Sequence, residues 1–212
     1  MFLLLSALGL GFLHGLGGDH LMAIAALSVD GRVSDRSAAA RRTEALGIAA
    51  RFALGHALLL GLGAGAIVAI GWAIPPYVGR GGEMLGGALL IVMGLMTLRI
   101  GRVAHSSHAA TLAHATHHSH LPTLIGAAFA ISSLRALAML TPFGDNLAAA
   151  PLSQLLALIG TFAAGILASM LLFGVALASL LSTRALQRVG HTAGALVGVS
   201  SIVLGVTWVA TA

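Results

Sequence analysis

Two imidazoles and a carboxylate stand close together in Phe12-Leu13-His14-Gly15-Leu16-Gly17-Gly18-Asp19-His20-Leu21-Met22, inside an apolar stretch covering roughly 2–28. Ionisable groups inside a membrane span are costly to bury, so they read as functional by default. On an unbroken helix at 100° per residue, His14 and Asp19 would point about 140° apart, and His14 and His20 about 120° apart. A regular helix would scatter them. Gly15, Gly17 and Gly18 let the backbone kink or unwind, and a broken helix at mid-membrane is a common way to build an ion site. Two imidazoles with one carboxylate suit a borderline divalent ion such as Ni²⁺, Co²⁺ or Zn²⁺. The plainer alternative is a His-Asp pair that satisfies buried hydrogen bonds or relays a proton.

The elements that must position these groups are membrane helices. The 212-residue chain is 58% hydrophobic and 8% charged, with 28 glycines and a mean hydropathy of +1.00. Glycine at that level suits closely packed membrane helices. At about 20 apolar residues per span, six candidate spans fit: roughly 2–28, 46–72, 83–100, 122–142, 153–182 and 192–211. No soluble domain fits beside them. The chain has no cysteine, which excludes disulfides and thiolate metal sites of its own. No basic segment precedes the first apolar run, so that run is expected to be a retained span and not a cleaved signal peptide.

All positive side chains are arginine, and their placement predicts an orientation. Arg32, Arg36, Arg41, Arg42, Arg51, Arg99, Arg102, Arg184 and Arg188 lie in or beside the loops after spans 1, 3 and 5. The positive-inside rule puts those loops in the cytoplasm and both termini outside, in the plasma (inner) membrane. The net charge of +5 is therefore a topology signal and gives no reason to expect nucleic-acid binding. Arg135, in the middle of span 4, is the exception. It has three open roles: snorkelling, pairing with Asp19, or standing where a cation would otherwise sit, the last two amounting to a gating or pairing role.

Internal similarity points to two halves. Phe12 and Met22 match Phe129 and Met139, and Phe52-Ala53-Leu54-Gly55 resembles Phe162-Ala163-Ala164-Gly165. Gly87, Ile91, Val92 and Gly94 likewise correspond to Gly198, Ile202, Val203 and Gly205. Units of three spans must enter the membrane in opposite senses, so the expected fold is an all-α integral membrane protein of two inverted three-helix repeats, an architecture typical of secondary transporters. The expected organisation is a first repeat at 1–100 with the metal motif, a His-rich loop at 101–121 and a second repeat at 122–212. In this alignment Ile131, Ala136 and Leu137 take the places of His14, Asp19 and His20. The ion site is thus expected to be asymmetric, built mainly by the first half.

His56, in Leu54-Gly55-His56-Ala57 of span 2, is the candidate fourth ligand beside His14, Asp19 and His20. Neutral imidazoles with one carboxylate leave a divalent ion a single net charge for the protein to solvate. An accessory site is expected in the loop between spans 3 and 4, where His105, His108, His114, His117, His118 and His120 place six of the ten histidines within sixteen residues. Such tracts bind metal exchangeably without needing to fold. The alternative is a solvated linker whose imidazoles titrate near neutral pH.

His14-Xaa4-Asp19-His20 in an early transmembrane helix resembles the signature of the nickel/cobalt transporter family (NiCoT) and the wider NicO group, and Leu54-Gly55-His56 is similar to that family's second His-bearing motif. The short six-span form also resembles urease accessory UreH-like transporters, and the His-rich loop resembles that of nickel/cobalt exporters of the same group. The resemblance implies metal-selecting roles for His14, Asp19 and His20, and a helper role for His56. One departure is that family members often carry acidic or Asp-Thr motifs in later helices, where span 4 here offers Ser132, Ser133 and Arg135.

The expected function is transport of a divalent transition-metal ion by alternating access, nickel or cobalt ahead of zinc, in a direction that the residues leave open. The chain is expected to be no enzyme and to need no resident cofactor. Its expected partners are membrane lipid, the metal ion, and a metallochaperone or metalloenzyme-assembly protein. With no phosphate-binding loop motif for ATP, a gradient, a partner or the ion's own potential must supply the drive. Three other readings are open: a proton-linked carrier of a small non-metal solute, a scaffold or assembly subunit that needs a partner, and an intramembrane zinc-dependent hydrolase, although no His-Glu-Xaa-Xaa-His is present.

Overall fold

The computed structural model describes residues 1–28, 37–70, 76–103, 120–133, 151–181 and 184–212. Among them the chain forms helices and no strand: α1 (Phe2–Gly15), α2 (Gly18–Ser28), α3 (Ala38–Ile70), α4 (Pro76–Val103), α5 (Leu121–Ser132), α6 (Leu152–Leu181) and α7 (Arg184–Thr211). Helix is the expected outcome for long apolar segments, because a helix satisfies its own backbone hydrogen bonds where lipid cannot. Four stretches are long and apolar enough to cross a membrane: Arg42–Ala66, Tyr77–Arg99, Leu152–Leu180 and Thr192–Thr211. Taken as one bent span, α1 and α2 make a fifth. Large apolar side chains such as Leu58, Leu62, Leu124, Leu172 and Leu196 are exposed on the outer faces. Together these features make the protein a membrane-embedded helical protein.

Where its residues are described, each expected span from 2–28 to 192–211 falls on helix, with shifts at the ends. Helix α3 begins well before residue 46, because Ala38 to Arg42 and Glu44 are good helix formers. Helix α4 opens on Pro76, whose fixed φ and missing N–H suit a first helical position. The fourth expected span is described only as the 12-residue α5, its remainder after Ser133 lying outside the described residues. Arg135 also lies outside them, as do His105, His108, His114, His117 and His118 of the loop; His120 is exposed at the N-cap of α5.

The helices pack at glycines whose missing side chains let backbones touch. On α1, a Cβ at Gly11 would fall on the Phe162 carbonyl of α6, and one at Gly165 of α6 would fall on the Leu8 carbonyl of α1. The α3–α5 crossing repeats this pattern with the parts exchanged: Gly126 abuts the Phe52 carbonyl, and Gly55 abuts the Thr123 carbonyl. Between α4 and α7, Gly87 meets Gly205 and Gly94 meets Gly198, which makes the two helices antiparallel. Small residues at such contacts gain van der Waals energy and Cα–H···O contacts that larger side chains would block. The core inside these pairs contains Ile24, Phe52, Leu90, Phe129, Phe162 and Met170, all fully buried. Helix α2 lies among α3, α4 and α7.

Candidate metal centre

The first span breaks at its glycines, α1 and α2 meeting at 52°. Helix α1 closes with Leu16 N–H donating to the Phe12 and Leu13 carbonyls at 3.3 and 3.2 Å, and Gly17 N–H donating to the His14 carbonyl at 2.9 Å. His14 therefore sits in the last turn of α1, while Asp19 and His20 open α2. The partial charges of the helix ends favour a cation at the first and an anion at the second. Gly17 is required by close approach: a Cβ there would lie 2.6 Å from Asp19 Oδ1 and 3.0 Å from His20 Nδ1. The bend brings both imidazoles to one place, where His56 meets them from α3.

The three rings form a tight cluster. Ring centroids are 5.0 Å apart for His14 and His20, 4.6 Å for His20 and His56, and 6.1 Å for His14 and His56. One ring nitrogen from each lies within 4.8 Å of the others, a spacing that small side-chain adjustments bring into a common coordination sphere. A phenylalanine backs each ring: Phe162 stacks on His14 at 6.0 Å, Phe52 on His56 at 6.3 Å, and Phe129 leans on His20 at 6.2 Å. This apolar wall excludes water and strengthens the electrostatic interactions inside it.

Hydrogen bonding distinguishes the polar groups. Asp19 Oδ1 accepts from His20 Nδ1 at 2.9 Å, both groups being buried. With that proton on Nδ1, the lone pair of His20 is on Nε2, which lies 3.3 Å from Ser133 Oγ. His14 Nε2, Asp19 Oδ2 and both nitrogens of His56 are buried with no hydrogen-bond partner among the described residues. The Gly126 backbone lies near His56 without reaching hydrogen-bond geometry. Leaving a buried polar group unpaired costs about 1–3 kcal/mol, and several such groups converging on one point are the signature of a site built for a ligand.

The structure thus brings together His14, His20 and His56, with Asp19 immediately behind His20. The phenylalanine wall and Ser133 were missed as site components by sequence reasoning. Phe52, Phe162 and Phe129 each stood out as repeat matches; the i, i+4 spacing of Phe52 and His56 could have signalled their contact, but nothing in the spacing of Phe162 or Phe129 says that they face His14 and His20. Comparison with known protein families, curated proteins and solved structures finds no match for this chain. The geometry alone therefore defines the class: a helical membrane protein with a three-imidazole cluster, two of its rings fully buried, at a broken helix.

Proposed function

We propose that the protein carries a divalent transition-metal ion across the membrane, with Ni²⁺ or Co²⁺ as the preferred cargo. The observation that carries this reading is the convergence of nitrogens from three imidazoles on three different helices, those of His20 and His56 fully buried, to within 4.8 Å. Imidazole donors suit late first-row ions, and Asp19 supplies the negative charge that a dication needs away from water. His14, His20 and His56 hold the ion, while Asp19 orients His20 through Oδ1, a carboxylate–histidine–metal arrangement. Asp19→Asn is expected to weaken metal affinity about 10–100-fold without lowering the number of ions bound, as read by equilibrium dialysis.

Alternating access in this proposal comes from two inverted three-helix halves. The exchanged glycine contacts support it: Gly11 on Phe162 has its counterpart in Gly126 on Phe52, and Gly165 on Leu8 in Gly55 on Thr123. The pairs Gly87–Gly205 and Gly94–Gly198 likewise convert into one another when the halves are exchanged. In this register Phe129, and not Ile131, takes the place of His14, and Ile166 takes that of His56; the stacking of His14 on Phe162 is matched by the contact of Phe129 with Phe52. Rocking of one half against the other would expose the ion to each side in turn. The distribution of arginine supports termini outside and the His-rich loop in the cytoplasm, where it would gather or receive the ion.

The test is flux. Protein sealed into liposomes should move Ni²⁺ or Co²⁺ to a trapped fluorescent chelator, and His20→Ala should abolish the signal while the protein remains monodisperse. Wild-type vesicles that bind the ion but give no flux above protein-free vesicles would overturn transport.

A further inference from the structure

Ser133 is the residue outside the histidine cluster whose position the proposed function has not used. Its hydroxyl is buried, and it is presented by the C-terminal end of α5, in the opposite half of the chain from His14, His20 and His56. We infer that Ser133 Oγ is the oxygen ligand that completes the metal site, so that the bound ion ties the two halves together; this rests on the metal reading above.

The chemistry of the two facing atoms leads to this. Asp19 holds the His20 proton on Nδ1, so Nε2 faces Ser133 with a lone pair. Ser133 has one hydroxyl proton, and the Phe129 carbonyl lies 3.0 Å away to receive it. While Ser133 donates that proton to the Phe129 carbonyl, its oxygen turns its lone pairs toward Nε2. Two lone-pair donors then address one point, an arrangement that a cation satisfies. The spacing also fits: ligands about 2.0–2.2 Å from an ion at a near-tetrahedral angle are about 3.3–3.6 Å apart, and Ser133 Oγ is 3.3 Å from His20 Nε2. Three imidazoles and a hydroxyl make a four-coordinate set of neutral donors, with the Asp19 charge just behind it.

The neighbouring Ser132 provides a control. Its hydroxyl donates to the Phe129 carbonyl at 2.7 Å, and the side chain lies against Gly86 of α4, away from the cluster.

The test uses the full-length chain with Co²⁺ as the probe. Because the protein contains no cysteine, a thiolate introduced by substitution is the sole source of a thiolate-to-cobalt charge-transfer band. Ser133→Cys loaded with Co²⁺ is expected to show that near-ultraviolet band, with one equivalent saturating it and release of the thiol proton; Ser132→Cys is expected to show none. Ser133→Ala, which avoids any difficulty in folding the thiol variant, is expected to weaken Co²⁺ binding about tenfold and to alter its visible ligand-field spectrum. A Ser133→Cys protein that binds Co²⁺ like wild type without the band overturns the assignment, as does a Ser133→Ala protein with wild-type affinity and spectrum. In a full-length chain whose loop residues His105, His108, His114, His117, His118 and His120 are replaced by asparagine, visible bands that survive both His20→Ala and His56→Ala would instead overturn the histidine site itself, which separates the two failures.

Discussion

His56→Leu is expected to lower Ni²⁺ or Co²⁺ affinity by more than about 100-fold while leaving thermal stability unchanged or raised. His56 is fully buried and is the one imidazole that α3 brings to the cluster. Loss of a supporting second-layer partner already costs about 10–100-fold in metal affinity, so loss of the ligand itself should cost more. The opposite sign on stability has a separate cause. Both His56 nitrogens are buried without partners among the described residues, so an apolar side chain removes a desolvation cost of about 1–3 kcal/mol for each unpaired group. Leucine also retains volume against Phe52, and Ile166 at the matched position of α6 is fully buried, as an aliphatic side chain there should be. Equilibrium dialysis and thermal unfolding in detergent read the two effects. An affinity within tenfold of wild type would remove His56 from the ligand set, and a large fall in the unfolding midpoint would make it a structural residue.

Gly126→Ala is expected to be strongly disruptive for a single added methyl, because Gly126 and Gly55 are the two described glycines through which α3 and α5 touch. The added Cβ would fall on the Phe52 carbonyl, which is backbone and cannot rotate aside. Forcing extra atoms into a packed interior costs about 1–3 kcal/mol, and more when backbone must shift. The consequence reaches the metal centre, because separating α3 from α5 pulls Phe52 from Phe129 and carries Ser133 away from His20. Both the unfolding midpoint and metal affinity should fall. Gly160→Ala is the matched control: its Cβ would meet nothing within 4 Å, and alanine in a helix interior is favoured over glycine by roughly 0.5–1 kcal/mol. Equal unfolding midpoints for the two variants would show that the α3–α5 contact is looser than its backbone spacing requires.

Much of the site was legible before folding was considered. His14, Asp19 and His20 announced themselves because charge inside an apolar run is costly, and the glycines between them because a straight helix would have pointed the rings apart. His56 was visible for the same reason, a polar residue within a span. The division of labour was less legible. Asp19 and His20 are adjacent in sequence, and nothing in that adjacency says that the carboxylate binds the Nδ1 proton and leaves Nε2 for a ligand. Ser133 resembled any other hydroxyl in a membrane helix, where serine often bonds only to its own backbone.

The sequence by itself determined the helical membrane class, the position of the break in the first span and the identities of the four ionisable candidates. These are local properties, since hydropathy, glycine spacing and the cost of a buried charge depend on residues near each other in the chain. The tertiary structure decided which nitrogens converge, which phenylalanine backs each ring, and that α5 brings Ser133 to His20. The contacts of Phe162 with His14, Phe129 with His20 and Ser133 with His20 join residues more than a hundred positions apart, and glycine-to-carbonyl crossings with tolerances of a few tenths of an ångström set them. Hydropathy does not encode such crossings: the registers at which two apolar helices can meet look alike in composition, and only the close approach of their backbones selects one.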